Sequence, residues 1–383
     1  MWLTGRLMPD FKTIADVRKD NGKAIRSVCR QFVVLCQQLG LFSEVLVAID
    51  GSKFKAVNNR DRNFTSAKLQ RQMEEIESSI RRYLSELDTA DRQEPAVAKL
   101  RVERLQDKIA ALKEQMKALK EIEIQLEATP DKRISLTDPD ARSMKTRGTG
   151  IVGYNVQTAV DTTHPLIVAH EVTNIGIDTD QLPSMAKLAR DATEVHGLTV
   201  IADRGYFKGE AILACDEVGI TAIVPKTKTP GAKADGRFDR ADFIYDAEKN
   251  EYRCPAGQHL IWRYLNIERG LKLHRYWSSH CQKCLIKEKW TPGEQRRIAR
   301  WENEEVLEAM QARLDHAPDS MRIRRQTVEH PFGTIKLWMN SAHFLTKTLK
   351  RVSTEMSLHV LAYNLKRVMK VLGAEVLMAE MRG

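Results

Sequence analysis

The sequence predicts an α/β protein in which a mixed sheet is flanked by helices and carries two insertions. Three observations predict it. Short apolar runs rich in β-branched residues ("EVLVAID", "GIVGYNVQTAVD", "LTVIAD" and "ITAIVPK") alternate with stretches of helical periodicity. Between the first and second of these runs lie two apolar series stepping by four and three. After the last run comes a polar, Gly- and Lys-rich segment holding three of the six cysteines.

The elements follow in order. The first forty residues are helical, with Ile25, Val28, Phe32, Val33, Leu35 and Leu39 on one broad stripe. "EVLVAIDGSKF" then reads as a buried strand with Asp50 at its end. Over residues 66–128, Leu69, Met73, Ile76, Ile80, Tyr83 and Leu87 step at helical spacing, as do Val102, Leu105, Ile109, Leu112, Met116 and Leu119. Joined by the polar "DTADRQEP", they predict an antiparallel helical hairpin whose charged faces are solvated. "GIVGYNVQTAVD" and "PLIVAHEVTN" pair as strands, and "DQLPSMAKLARDATEV" is a helix. "LTVIADRGYF" is a strand ending at Asp203, followed by the helix "KGEAILACDEVG" and the strand "ITAIVPK". Over residues 226–292 no period is visible, and from Gln295 onward the chain reads as helical. The resulting division is a helical part, 1–42, and a domain, 43–383, with insertions 66–128 and 226–292.

Composition narrows the partners. With 383 residues and 42% hydrophobic content the chain can bury a core, and its net charge of +10 points to a polyanion, nucleic acid first. No apolar run reaches the roughly 18 residues of a membrane span, and "MWLTGRLMPDFKT" has no apolar leader region. Six scattered cysteines fit a reducing cytoplasm.

"RRQTVEHPFGTIK" places one carboxylate, Glu329, among four basic side chains. Asp50 and Asp203 follow strands, and Glu329 lies on a late helix. Strand, strand pair, helix, strand, helix, strand, helix is the order of the ribonuclease-H-like fold, which brings three such acids to one sheet edge. Three carboxylates suit hard divalent cations, and two ions roughly 3.5–4 Å apart activate an attacking oxygen and steady the leaving one. A single strand-terminal aspartate is more often a turn former or helix cap; three in this order carry more weight.

At these residues the sequence resembles the DDE transposases of bacterial insertion sequences, of the kind with a Tyr-Arg-Glu-Lys signature around the last acid. The segments that carry the resemblance are "MWLTGRLMPDFKTIADVRKDN", "AIDGSKFKAV", "DPDARSM", "GYNVQTAVD", "VTNIGIDTDQL", "IADRGYF" and "VEHPFGTIK". The resemblance implies that Asp50, Asp203 and Glu329 are the catalytic acids, holding Mg2+ or Mn2+. It places Arg325 and Lys336 at the signature arginine and lysine, and Arg322 where the signature has tyrosine. These three, with His330, are assigned to DNA. It further implies cleavage at element ends, strand transfer into target DNA, and a homodimer in the DNA complex. Proteins of this kind have sequence before "MWLTGRLMPDF", so residues 1–42 are expected to be the remnant of an N-terminal domain. The rival readings are a host nuclease of the same fold and an inactive DNA-binding remnant.

Cys254, Cys281 and Cys284 resemble a zinc-ribbon-like set, with Trp290 where related proteins often have a further cysteine. His259, His274 or His280 could complete it, and the spacing selects none. Bound zinc and a site that has lost a ligand both stay open. Cys29 and Cys36 read as core, Trp338 as core packing, Asp138 and Asp140 as turn formers, and Asp180 as a helix cap.

Overall fold

The computed structural model describes residues 8–42, 46–59, 62–90, 95–129, 132–146, 148, 150–226, 238–289, 291 and 293–381. Residues 1–7, the connector residues 91–94 and Trp290 therefore lie outside the described residues. The chain is a mixed α/β protein, compatible with the ribonuclease-H-like class. It divides into two compact units, one of Met1–Phe42, Asp50–Gly176 and Val328–Gly383, the other of Ser43–Ile49 and Ile177–Thr327.

In the first unit, α1 (Phe11–Asp20) starts where the Asp10 carboxylate accepts from the Thr13 N–H at 2.7 Å. Phe32 and Cys36 of α2 (Gly22–Gln38), with Leu41, pack on Leu166, on Val368 of α9 (Leu349–Leu372) and on Leu377. Cys29 and Cys36 are buried as expected, and burial pushes their thiols up to about 11 and about 12. β5 (Ile151–Asp161) pairs antiparallel with β4 (Arg142–Met144) and β6 (Ile167–Thr173). Gly153 admits no side chain, because a Cβ would sit 2.0 Å from the Phe54 carbonyl oxygen. That close approach brings β5 against the second half of β1 (Leu46–Lys55).

Helices α3 (Ser66–Ala90) and α4 (Pro95–Glu127) meet where Leu69, early in α3, packs with Leu119 and Leu126, late in α4. The two helices thus run antiparallel there. Phe64 joins this cluster from β2 (Asn63–Thr65), which pairs with β3 (Arg133–Ser135). Fully burying each such side chain is worth about 1.5–3 kcal/mol.

In the second unit, residues 46–48 of β1 run parallel to β7 (Thr199–Ile201), which is parallel to β8 (Thr221–Ile223). Among its described helices are α5 (Leu182–Thr193), α6 (Gly209–Asp216) and α7 (Glu304–His316). Leu182, Met185, Ala186 and Ala189 form the buried stripe of α5. Hydrogen bonding gives the order β4-β5-β1-β7-β8, with β6 also on β5.

Three expectations need correction. β1 does not stop at Asp50 but runs on to Lys55, because β5 takes over as its partner beyond the residues paired with β7. The stretch without visible period contains β9 (Ile244–Asp246), β10 (Glu251–Arg253), β11 (His259–Glu268) and β12 (Leu271–Trp277). The supposedly helical tail begins with β13 (Ile298–Trp301), which completes an antiparallel sheet of order β13-β12-β11-β10-β9. Phe243, Tyr252, Leu260, Tyr276 and Ile298 form its core. Alternation was blurred because apolar side chains stand on both faces and a bulge interrupts β11 between Trp262 and Tyr264.

His170 of β6 carries a pH prediction. Its Nε2 is 3.0 Å from Ser357 Oγ, and burial, then Arg26 and Arg30, hold its pKa down at about 4. The folded ring is neutral where an unfolded one, with a pKa near 6.5, takes a proton. Its contribution is present above about pH 6.5 and lost as pH falls through about 4, up to roughly 3 kcal/mol. Urea midpoints at neutral and acid pH should diverge less in His170→Gln than in the parent; equal divergence would clear His170 of the role.

Candidate active site

Asp50 is the fifth residue of β1 and half-buried. Glu329 lies on α8 (Ser320–Gly333), whose Thr327, Val328, Pro331 and Phe332 are buried while Glu329 itself is exposed. Phe332, three residues past Glu329, packs against Phe54, four past Asp50, with ring centroids 6.2 Å apart. Phe344 adds a second ring at 5.6 Å from Phe54.

Pro331 does not end the helix. It sits inside α8, and after Gly333 the backbone widens into a π-helical turn over Thr334–Trp338. That turn aims Lys336 at β1: its Nζ donates to Ser52 Oγ at 2.6 Å and to the Lys53 carbonyl at 2.9 Å, and lies 4.5 Å from the Phe54 ring centroid. Burial lowers the Lys336 pKa; the Asp50 carboxylate opposes the shift and Lys53 reinforces it. Trp338 is 84% exposed, which overturns its reading as core, because the wider turn carries it outward past the buried Ile335.

Asp203 directly follows β7 by two residues and serves two roles at once. Oδ1 accepts from the Gly205 N–H at 2.8 Å, capping a short turn over Arg204–Tyr206, and Oδ2 lies 3.8 Å from Arg324 Nη2. The Arg324 side chain is only 13% exposed. The resemblance assigns the exposed Arg325 to DNA and gives Arg324 no role. The available signal was spacing, since Arg324, Val328 and Pro331 fall on one helical stripe, so an arginine there faces inward.

The remaining assigned residues have defined neighbours. Arg322 pairs with Asp319 at 3.1 Å on the surface. His330 Nδ1 is 2.8 Å from the Tyr363 hydroxyl, which donates its proton to the Pro165 carbonyl at 2.6 Å. His330 must therefore donate through Nδ1. Asp180 does not cap α5, whose N-cap is Gln181; it pairs with Lys208 at 2.6 Å instead.

Asp138 and Asp140 do more than shape a turn. Buried Asp138 accepts from the Tyr154 hydroxyl at 2.9 Å and from the Thr348 N–H at 3.0 Å. Asp140 accepts from the Leu349 N–H at 2.8 Å. Together they hold the start of α9, where Thr348 has φ 72°, a left-handed backbone costly for a β-branched residue. Buried Glu355 accepts from the N–H groups of Leu345 and Thr346. The same loop pairs with the end of β1, Phe344 N–H donating to the Lys55 carbonyl at 2.8 Å.

Cys254, Cys281, Cys284 and His280 line one small cavity of about 30 Å3. His259 is occupied by Glu251 at 2.8 Å, and His274 by the Trp262 indole at 3.0 Å. Thiols and imidazole suit zinc, yet within each unit no three His, Cys, Asp or Glu side chains among the described residues are gathered as around a bound ion. The thiols share a cavity without forming a ligand set. Mg2+ and Mn2+ prefer carboxylate oxygens; Asp50 and Glu329 lie in the first unit and Asp203 in the second.

A family model for the transposase DDE domain matches residues 124–365. The chain belongs to that family. Membership implies transposase activity in general, a DNA substrate, and an enzyme of a family that uses divalent metal. The matched span contains Asp203 and Glu329 and begins after Asp50. No curated protein matches the chain. Among the described residues of this DDE-family protein no helix is long and apolar enough to cross a membrane.

Proposed function

We propose that the chain cuts DNA at the ends of a mobile element and joins the freed 3′-hydroxyl to target DNA, with Asp50, Asp203 and Glu329 as catalytic acids. The observation that carries this reading is the lock between β1 and the segment around Glu329. Phe332 on Phe54, and Lys336 on Ser52 and Lys53, tie the chain on the far side of Glu329 to the strand just beyond Asp50. Bound Mg2+ or Mn2+ would activate the attacking oxygen and steady the leaving one. The three carboxylates would hold that charge in place. Water replaces one phosphodiester oxygen and leaves a 3′-hydroxyl, which then replaces an oxygen of the target strand in line. Neither step needs a covalent enzyme intermediate. The wider proposal is a catalytic domain, 43–383, carrying the insertions 66–128 and 226–292, a chain acting on paired ends as a homodimer, and a cytoplasmic location.

Arg325 stands one helical turn before Glu329 and is exposed, which suits a phosphate contact. Arg325→Ala should weaken end-DNA binding and flatten its salt dependence by about one unit of log-log slope, with the metal requirement unchanged. An unaltered slope would remove Arg325 from the interface. Lys336→Ala should reduce strand transfer by loosening β1 beside Asp50.

The deciding test incubates end-containing DNA with the chain in Mn2+ and in chelator. Nicking confined to Mn2+ and lost in Asp203→Asn supports the proposal. Cleavage without any need for paired ends would favour a host nuclease, and binding without cleavage an inactive remnant.

A further inference from the structure

Register divides the five-stranded sheet into two faces. Tyr252, Leu260, Tyr276 and Ile298 point to its core, so their neighbours Ile261 and Trp277, which are register partners, stand on the reverse side. The bulge in β11 keeps Tyr264, partner of Arg275, on that reverse side, where its ring meets Trp277 edge-on at 5.8 Å. Arg263, the extra residue of the bulge, and Arg297 both lie against the Trp277 ring, at 5.2 and 5.3 Å. Ile244, Ile261 and Tyr264 are 70%, 45% and 43% exposed. Arg253, the register partner of Ile244, is also exposed. Of the carboxylates on this face, Glu268 pairs with Arg275, Glu251 bonds to His259, and Asp246, the register partner of Glu251, accepts from the Glu248 and Lys249 N–H groups.

We infer that this face is a second DNA-contacting surface, which takes a single strand with unpaired bases. It rests on the reading that the chain acts on DNA. Arginines suit phosphates because the planar guanidinium offers paired donors in a fixed geometry. Open aromatic and aliphatic side chains between them suit the faces of unpaired bases, which duplex DNA keeps stacked inside. Arg253, Arg263, Arg275 and Arg297 outnumber Asp246, Glu251 and Glu268 on this face, so its net charge is positive and an acidic polymer matches it. β11 is ten residues long, roughly 33 Å, room for a site of about four nucleotides or more.

The test uses the full chain without metal and a short labelled oligonucleotide of mixed sequence, single-stranded and as its duplex, followed by fluorescence anisotropy. Tyr264→Ala and Arg297→Gln should each weaken single-strand binding about five-fold or more, and duplex binding less. Ile261→Glu should weaken it as well, while Ile261→Lys should not, which separates lost charge complementarity from a damaged sheet. Single-strand binding at parental strength in these variants would overturn the inference alone. So would equal losses in Ile261→Glu and Ile261→Lys, or a change of sedimenting mass in place of a change in DNA affinity. If the unaltered chain bound neither form of DNA, the underlying DNA reading would fall with it.

Discussion

Glu329→Gln is expected to lower metal-dependent strand cleavage by about a thousand-fold or more while leaving end-DNA binding near the parental level. The substitution conserves shape and helix propensity and removes one negative charge. Glu329 is exposed, and α8 is anchored through the buried Thr327, Val328, Pro331 and Phe332, so the packing against Phe54 should persist. A surface change of this kind costs less than about 0.5 kcal/mol of stability, too little to mimic a catalytic loss by unfolding. The opposite effect on binding is also legible: removing an acid from a basic surface cannot weaken its attraction for phosphate. Paired measurements decide it, end-DNA binding without metal and strand cleavage in Mn2+. Cleavage at the parental rate would mean that Glu329 is no metal ligand, and the mechanism would need another acid.

Asp138→Ala is expected to destabilise the first unit by about 3–5 kcal/mol, the largest stability effect anticipated for a single polar residue here. Its carboxylate is fully buried and accepts from two donors, the Tyr154 hydroxyl and the Thr348 N–H. Truncation strands both in the interior, and no side chain of alanine size can replace the acceptor. It also releases Thr348 from a backbone conformation that the bond helps to hold. Asp138→Asn should fall between parent and alanine, because one oxygen acceptor survives and the amide nitrogen then faces a donor. Urea unfolding supplies the free energies, and hydrogen exchange at Thr348 and Leu349 reports the local part. A loss below about 1 kcal/mol in Asp138→Ala would show that water or rearrangement satisfies both donors. Because the neighbouring loop pairs with Lys55 at the end of β1, the same variant should cleave DNA more slowly than its residual stability alone explains.

Much of this protein follows from local pattern. The β-branched runs became β1, β5, β7 and β8, and the 4-3 spacing became α3 and α4, because both periods are properties of a single segment in contact with an apolar surface. The same is true of α5 and α9, whose buried stripes repeat every three or four residues. Where the period is mixed, local pattern fails. β11 carries Trp262, Tyr264, Leu265 and Ile267 on both faces and is broken by a bulge, so neither two nor 3.6 fits it.

The acids divide in the same way. Sequence order and residue type were enough to nominate Asp50, Asp203 and Glu329, and the basic composition was enough to expect a polyanion. Only the tertiary structure decided that β1 continues past Asp50, that Lys336 bonds to β1, and that Asp203 faces Arg324. It also turned Asp138 from a turn former into the anchor of α9, 210 residues away in sequence. The reason is physical. A segment's period depends on its own residues, whereas a charge or hydrogen bond acts over a few ångströms of space, and which groups share that space is set by chain segments remote in sequence.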